Sequence, residues 1–141
     1  MNDIELQILS CLLLKPELMN NNKLEDKYFR HTQRLWQFMK AFYNKFKTFD
    51  SSLMISMASN QYKMADYIAM LFEYEPAPSN FEKYQQRLIE EYYESQKEKW
   101  IIQRIYEASN DLIVRSINVS EFNDKLKNIY EKAESIRWKE E

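Results

Sequence analysis

Apolar residues recur along this chain at intervals of three and four, the spacing that gives a helix one inward stripe. Ile4, Leu6, Ile8, Leu9, Leu12 and Leu13 make the first stripe, opened by Asp3 as an N-cap and stopped by Pro16. A polar Asn20-Asn21-Asn22 linker follows, then a turn around Glu25 to Phe29. Leu35, Phe38, Met39, Phe42 and Phe46 predict a second helix from about His31 to Phe46. Asp50 caps a third that carries Leu53, Met54, Met57 and Ala58. A fourth runs from about Gln61 to Phe72 with Met64, Tyr67, Ile68 and Leu71 facing inward. Pro76-Ala77-Pro78 then closes this block, because neither proline nor the residue before it sits well inside a helix.

From Ser79 or Asn80, either one a favourable N-cap, the helical pattern continues unbroken to about Ser116. Phe81, Tyr84, Leu88 and Tyr92 mark its stripe, and Trp100, Ile101, Ile105, Ala108 and Leu112 continue it with a drift in phase. Ser120 caps a last helix with Phe122, Leu126, Ile129, Tyr130, Ala133 and Ile136 on one side. The short link Ile117 to Val119 makes the two helices antiparallel neighbours. The expected fold is therefore all-α: a compact helical block over residues 1–78 and a long antiparallel helical hairpin over 79–141, together one domain. The first hairpin helix would be about 50 Å long at 1.5 Å per residue, longer than such a block is wide, so part of the hairpin should project. Its apolar residues Tyr92, Trp100, Ile101, Ile105, Phe122, Ile129 and Tyr130 then call for cover by a second copy or by another protein. The alternative, in which the long helix bends back over the block, lacks a proline or glycine to kink it.

Composition sharpens this into a statement about chemistry. The chain of 141 residues contains no glycine, where average usage of roughly 7% would supply about ten. Phosphate-cradling loops and dinucleotide-binding turns need glycine for backbone N–H groups to approach the ligand, so neither is expected here. One histidine, His31, and one cysteine, Cys11, leave no nucleophile-base constellation and no zinc site. An enzyme would have to work with carboxylates alone, and these are scattered as solvated helix faces scatter them. No catalytic residue, cofactor or metal is expected.

Net charge is −2, which gives no global case for a nucleic-acid partner. Locally, Lys23, Lys27, Arg30, Arg34, Lys40, Lys45 and Lys47 are opposed only by Glu25 and Asp26, with aromatic residues between them. Basic plus aromatic is the composition of single-stranded nucleic-acid binders. Helical spacing turns most of those aromatics toward a core and leaves the cations as a solvated face. A single cysteine, acidic residues near the start and no apolar run long enough to cross a bilayer read as an intracellular, cytoplasmic chain.

These residues also carry a resemblance. Ile4-Glu5, the run Ile8-Leu9-Ser10-Cys11-Leu12-Leu13-Leu14 and Pro16-Glu17-Leu18 resemble the opening of the N-terminal domain of DnaB-type hexameric replicative helicases. Tyr28-Phe29, His31 and Arg34-Leu35-Trp36-Gln37 are similar to that family's aromatic turn and the start of its next helix. Asp50 with Leu53, and Pro78-Ser79-Asn80-Phe81-Glu82-Lys83-Tyr84, follow in the same order, so that the resemblance spans the whole chain. It implies a collar domain on a helicase hexamer, a dimer or trimer of dimers built through the hairpins, that docks primase or a helicase loader. The ATPase of such helicases lies in a separate domain. Ser10 and Asn60-Gln61 stand where the family usually has glycine, as in a divergent phage or mobile-element relative.

Three functional readings follow. The chain is an interaction module of the replication machinery, either a collar domain or a free-standing protein that modulates a helicase. It stands on the primase side of the same contact, since the helicase-binding domain of primase resembles this fold. Or, in a different class, it binds single-stranded nucleic acid or uses carboxylates as an enzyme. Trp138-Lys139-Glu140-Glu141 reads equally as a natural end or as a last helical turn leading into a linker.

Overall fold

A computed structural model describes residues 3–138, with side chains from Ile4 onward. The cap expected at Asp3, and the part of the expected C-terminal turn at Lys139 to Glu141, lie outside that description. Among the described residues there are six α-helices and no strand: α1 (Asp3–Leu14), α2 (Gln33–Phe46), α3 (Ser51–Ala58), α4 (Met64–Glu73), α5 (Phe81–Ile113) and α6 (Val119–Ser135). Short 3-10 turns at Pro16–Asn20, Asp26–Tyr28 and Pro78–Asn80 join them. Two of these turns open on a proline, whose fixed φ suits a first helical position. The chain divides into two compact units, Met1–Ile89 and Glu90–Glu141, with the division inside α5.

In the first unit the core is built from the apolar stripes. Ile8, Leu9 and Leu12 of α1 are fully buried, as are Met39 of α2, Met54 and Ala58 of α3, and Ile68 of α4. α3 packs against α4, and α4 against α1 and α2. Phe81, Leu88 and Ile89 bring the first turns of α5 into this core. Each fully buried large side chain contributes about 1.5–3 kcal/mol. Asp50 caps α3 as expected, its carboxylate accepting from the Leu53 N–H at 2.8 Å. Four residues expected on inward stripes, Phe46 in the last turn of α2 and Leu53, Met57 and Tyr67, are exposed instead. α3 is only two turns long, and Met54 with Ala58 already fills its inward side.

Glu5 is the polar centre of this unit. It is fully buried on α1, and its Oε1 accepts from the backbone N–H of His31 (3.0 Å), the backbone N–H of Thr32 (3.0 Å) and the Thr32 hydroxyl (2.8 Å). The carboxylate thus occupies the N-terminal end of α2, where N–H groups lack helical partners and the dipole favours negative charge. Nearby, Asp26 accepts from the Trp36 indole N–H at 2.8 Å and the Gln37 amide at 3.0 Å, and pairs with Lys40. Trp36 stacks on Phe29, with ring centroids 4.7 Å apart and planes 16° from parallel. The Lys40 hydrogen bond, then that of Gln37, holds the Asp26 carboxyl below the usual carboxylate range.

Without glycine, the left-handed turns fall to cations. Lys47, Lys63 and Arg115 have φ of 59°, 58° and 61°. Lys47 ends α2 with its N–H donating to the Tyr43 carbonyl, the position glycine ordinarily takes.

In the second unit, α5 and α6 run antiparallel. Lys97 pairs with Glu134 at 3.0 Å near one end and Asp111 with Lys125 at 3.1 Å near the other. Ala108 and Ala133 are buried between such pairs, small enough for the helices to approach closely. α6 starts two residues earlier than Ser120 would set it. Asn118 accepts from the Glu121 N–H at 2.8 Å while the Glu121 carboxylate accepts from the Asn118 N–H at 3.3 Å, a reciprocal capping box that satisfies two end groups at once.

Candidate interaction surfaces

All but one of the hairpin residues singled out in the sequence are neither core nor open surface. Tyr92, Trp100, Ile101, Ile105, Phe122 and Ile129 are half-buried, and Tyr130 is exposed. Trp100 meets Trp138 edge to face at 5.9 Å, and the Arg104 guanidinium lies 5.3 Å from the Trp100 ring centre. A second apolar set on α5 went unread in the sequence. Ile102, Tyr106 and Ile113 are exposed to 66%, 63% and 75%. Their spacing of four and seven puts them on one side of the helix, a repeat hidden by the stronger stripe beside it. Val114 and Val119 are exposed as well, in the turn that joins α5 to α6 and at the start of α6.

The basic residues do not converge. Lys23 and Arg30 are exposed. Lys40 is tied to Asp26. Lys27, Lys45 and Lys47 lie over the rings of Tyr28, Phe46 and Tyr43 at 5.5, 5.3 and 5.8 Å. Four of the seven cations between Lys23 and Lys47 are thus engaged with neighbouring side chains, and Arg34 is exposed like Lys23 and Arg30.

What the first unit does assemble is an open cleft of about 740 Å³. Arg30, His31 and Arg34 line it from the start of α2, and Tyr62, Met64 and Tyr67 from the α3–α4 turn and α4. Leu35 and Met64 form its apolar part and are almost fully buried. Sequence reasoning named Arg30 and Arg34 among a run of cations but could not join them to Tyr62 across the intervening helices. Among the described residues, no group of histidine, cysteine and carboxylate side chains is placed to hold a metal ion, and no helix is long and apolar enough to cross a membrane.

The family model of the DnaB-like helicase N-terminal domain matches residues 1–91. The chain belongs to that family. The matched span holds α1 to α4 and the opening of α5, so the DnaB-like assignment rests on the first unit, with most of the hairpin beyond the match. No curated protein and no solved structure matches the chain. The residues that carried the DnaB-like resemblance have structural work: Glu5 holds the start of α2, Phe29 stacks on Trp36, and Asp50 caps α3. This family is the non-catalytic N-terminal part of a helicase.

Proposed function

We propose that this DnaB-like domain is an assembly module of a replicative helicase, self-associating through the α5–α6 hairpin and docking primase or a helicase loader. It binds no nucleotide and acts in the cytoplasm. The observation that carries the reading is the apolar side Ile102, Tyr106 and Ile113 on α5, exposed in a chain whose family is a helicase domain. Exposed apolar residues that share one side of a helix mark a protein contact. The half-buried Trp100, Ile101, Ile105 and Ile129 support it as neighbours of that side. The reading as a single-stranded nucleic-acid binder is weakened because most of the basic residues it needs are engaged elsewhere.

Light scattering of the purified chain at about 100 μM tests the proposal, a concentration that detects association of about 5.5 kcal/mol. A dimer or higher even state is expected, with Ile102→Asp and Tyr106→Asp giving monomers of unchanged helical circular dichroism. Ile105→Asp and Tyr130→Asp test the residues chosen from sequence in the same way. A wild-type chain that stays monomeric, alone and on mixing with the primase and helicase of its own replication system, overturns the proposal.

A further inference from the structure

We propose that the cleft at the start of α2 docks an acidic peptide segment of a partner protein, its carboxylates on Arg30 and Arg34 and an apolar side chain against Met64 and Tyr67. The inference rests on the assembly reading only in assigning the segment to another protein. Arg30 and Arg34 are exposed, and no carboxylate of the described residues pairs with either guanidinium. No acidic residue lines the cleft, although the chain as a whole is net negative. Unpaired guanidinium forks on the wall of a concave site are built for planar oxyanions, which they bind in bidentate fashion. A volume near 740 Å³ is that of a ligand of a few residues, and the buried Met64 gives it an apolar floor. Tyr62, 81% exposed on the α3–α4 turn, adds an aromatic side chain to the lining.

The same features select a peptide over a nucleic acid. A phosphodiester strand needs a track of cations along several phosphates. Here four of the other five cations of the run are engaged, Lys40 with Asp26 and Lys27, Lys45 and Lys47 over rings, which leaves Lys23 as the one further exposed charge among them. Two spaced carboxylates flanking an apolar residue match two arginines flanking an apolar floor.

The test titrates the full chain, labelled with nitrogen-15, with the acetylated and amidated heptapeptide Asp-Glu-Asp-Leu-Phe-Asp-Glu. Its Asn/Gln counterpart and a ten-residue oligothymidylate serve as the other probes. Saturable shifts of the Arg30 and Arg34 Nε–H signals are expected with the acidic peptide, weakened about tenfold or more for the neutral one and for Arg30→Gln with Arg34→Gln. Tyr62→Ala, at a side chain too exposed to matter for folding, should weaken the same binding severalfold. The proposal is overturned if no shift saturates by about 2 mM peptide, a limit of roughly 3.7 kcal/mol. It is equally overturned if the neutral peptide binds as well, or if the oligothymidylate moves the two arginine signals more strongly. Light scattering of Arg30→Gln with Arg34→Gln separates the two proposals: an unchanged oligomer with lost peptide binding assigns the cleft and the hairpin to different contacts, and peptide binding by a chain that never self-associates leaves the cleft standing by itself.

Discussion

Glu5 and Thr32 are joined twice: one carboxylate oxygen accepts both the backbone N–H and the hydroxyl of Thr32, at 3.0 and 2.8 Å. A residue on α1 thereby terminates α2, a task usually left to a side chain within a few positions of the helix end. Thr32 itself makes no side-chain cap bond to its own helix, and its hydroxyl donates to Glu5. The second oxygen, Oε2, is buried without a hydrogen-bond partner, so the contact depends wholly on the first.

Removing that carboxylate should be among the most damaging single changes in the first unit. Glu5→Ala leaves three donors unsatisfied in the interior and is expected to lose about 3 kcal/mol or more in urea unfolding. Glu5→Gln keeps an acceptor but forfeits the charge and places an amide N–H₂ where Oε2 has no partner, for a loss of about 1–2 kcal/mol. Equal stability of Glu5→Gln and wild type would show that the charge at the start of α2 contributes nothing.

Asp26 makes a pH prediction. Its folded pKa is lowered, so its contribution is fully present above the unfolded value near 3.9 and is lost as pH falls through the folded value. Asp26→Asn should cost no more than about 1 kcal/mol at pH 7, since the group is more than a third exposed. Thermal melts should show the gap between variant and wild type closing below about pH 4. A gap constant down to pH 2 would assign the loss to shape and not to charge.

How far the sequence carried depends on the range of the signal. The 3.6-residue stripe placed α2, where Leu35, Met39 and Phe42 are indeed buried, and Asp50 was readable because its partner Leu53 is three positions away. The bond from Glu5 to Thr32 spans 27 positions, and periodicity says nothing about which helix end a buried acid will meet. Asn118 and Glu121 formed a legible capping box, but Ser120 carried an equally good cap residue type and the local pattern did not rank them. The cleft was illegible for the same reason as Glu5: Arg30, Arg34 and Tyr62 come together only once α2 and α4 have packed.

The left-handed positions invite repair. A non-glycine residue in this conformation carries about 1–2 kcal/mol of strain, and a glycine relieves it while adding about 0.4–1 kcal/mol of unfolded-chain freedom. Arg115→Gly, where φ is 61°, should therefore raise stability by roughly 0.5–1 kcal/mol in chemical denaturation. Arg115→Ala should give no gain, because alanine keeps the Cβ that causes the strain. A stabilisation equal in both variants would place the effect in the arginine charge.

Cys11 should be silent in the folded chain. It is fully buried on α1, and burial pushes its thiol up to about 11. Reaction with a disulfide reagent at pH 8 is expected to be at least about 100-fold slower in the native chain than in denaturant, since both thiolate fraction and access are reduced. Rapid native labelling would mean that α1 opens readily from the core.

The three tryptophans are distributed so that each compact unit has its own optical signature. Trp36, buried, stacked on Phe29 and hydrogen-bonded to Asp26, is the indole of the first unit. Trp100 and Trp138, edge to face at 5.9 Å and 68°, form a coupled pair in the second. Emission from the one and the near-ultraviolet dichroism of the other distinguish melting of the helicase-family core from melting of the hairpin without any label being introduced.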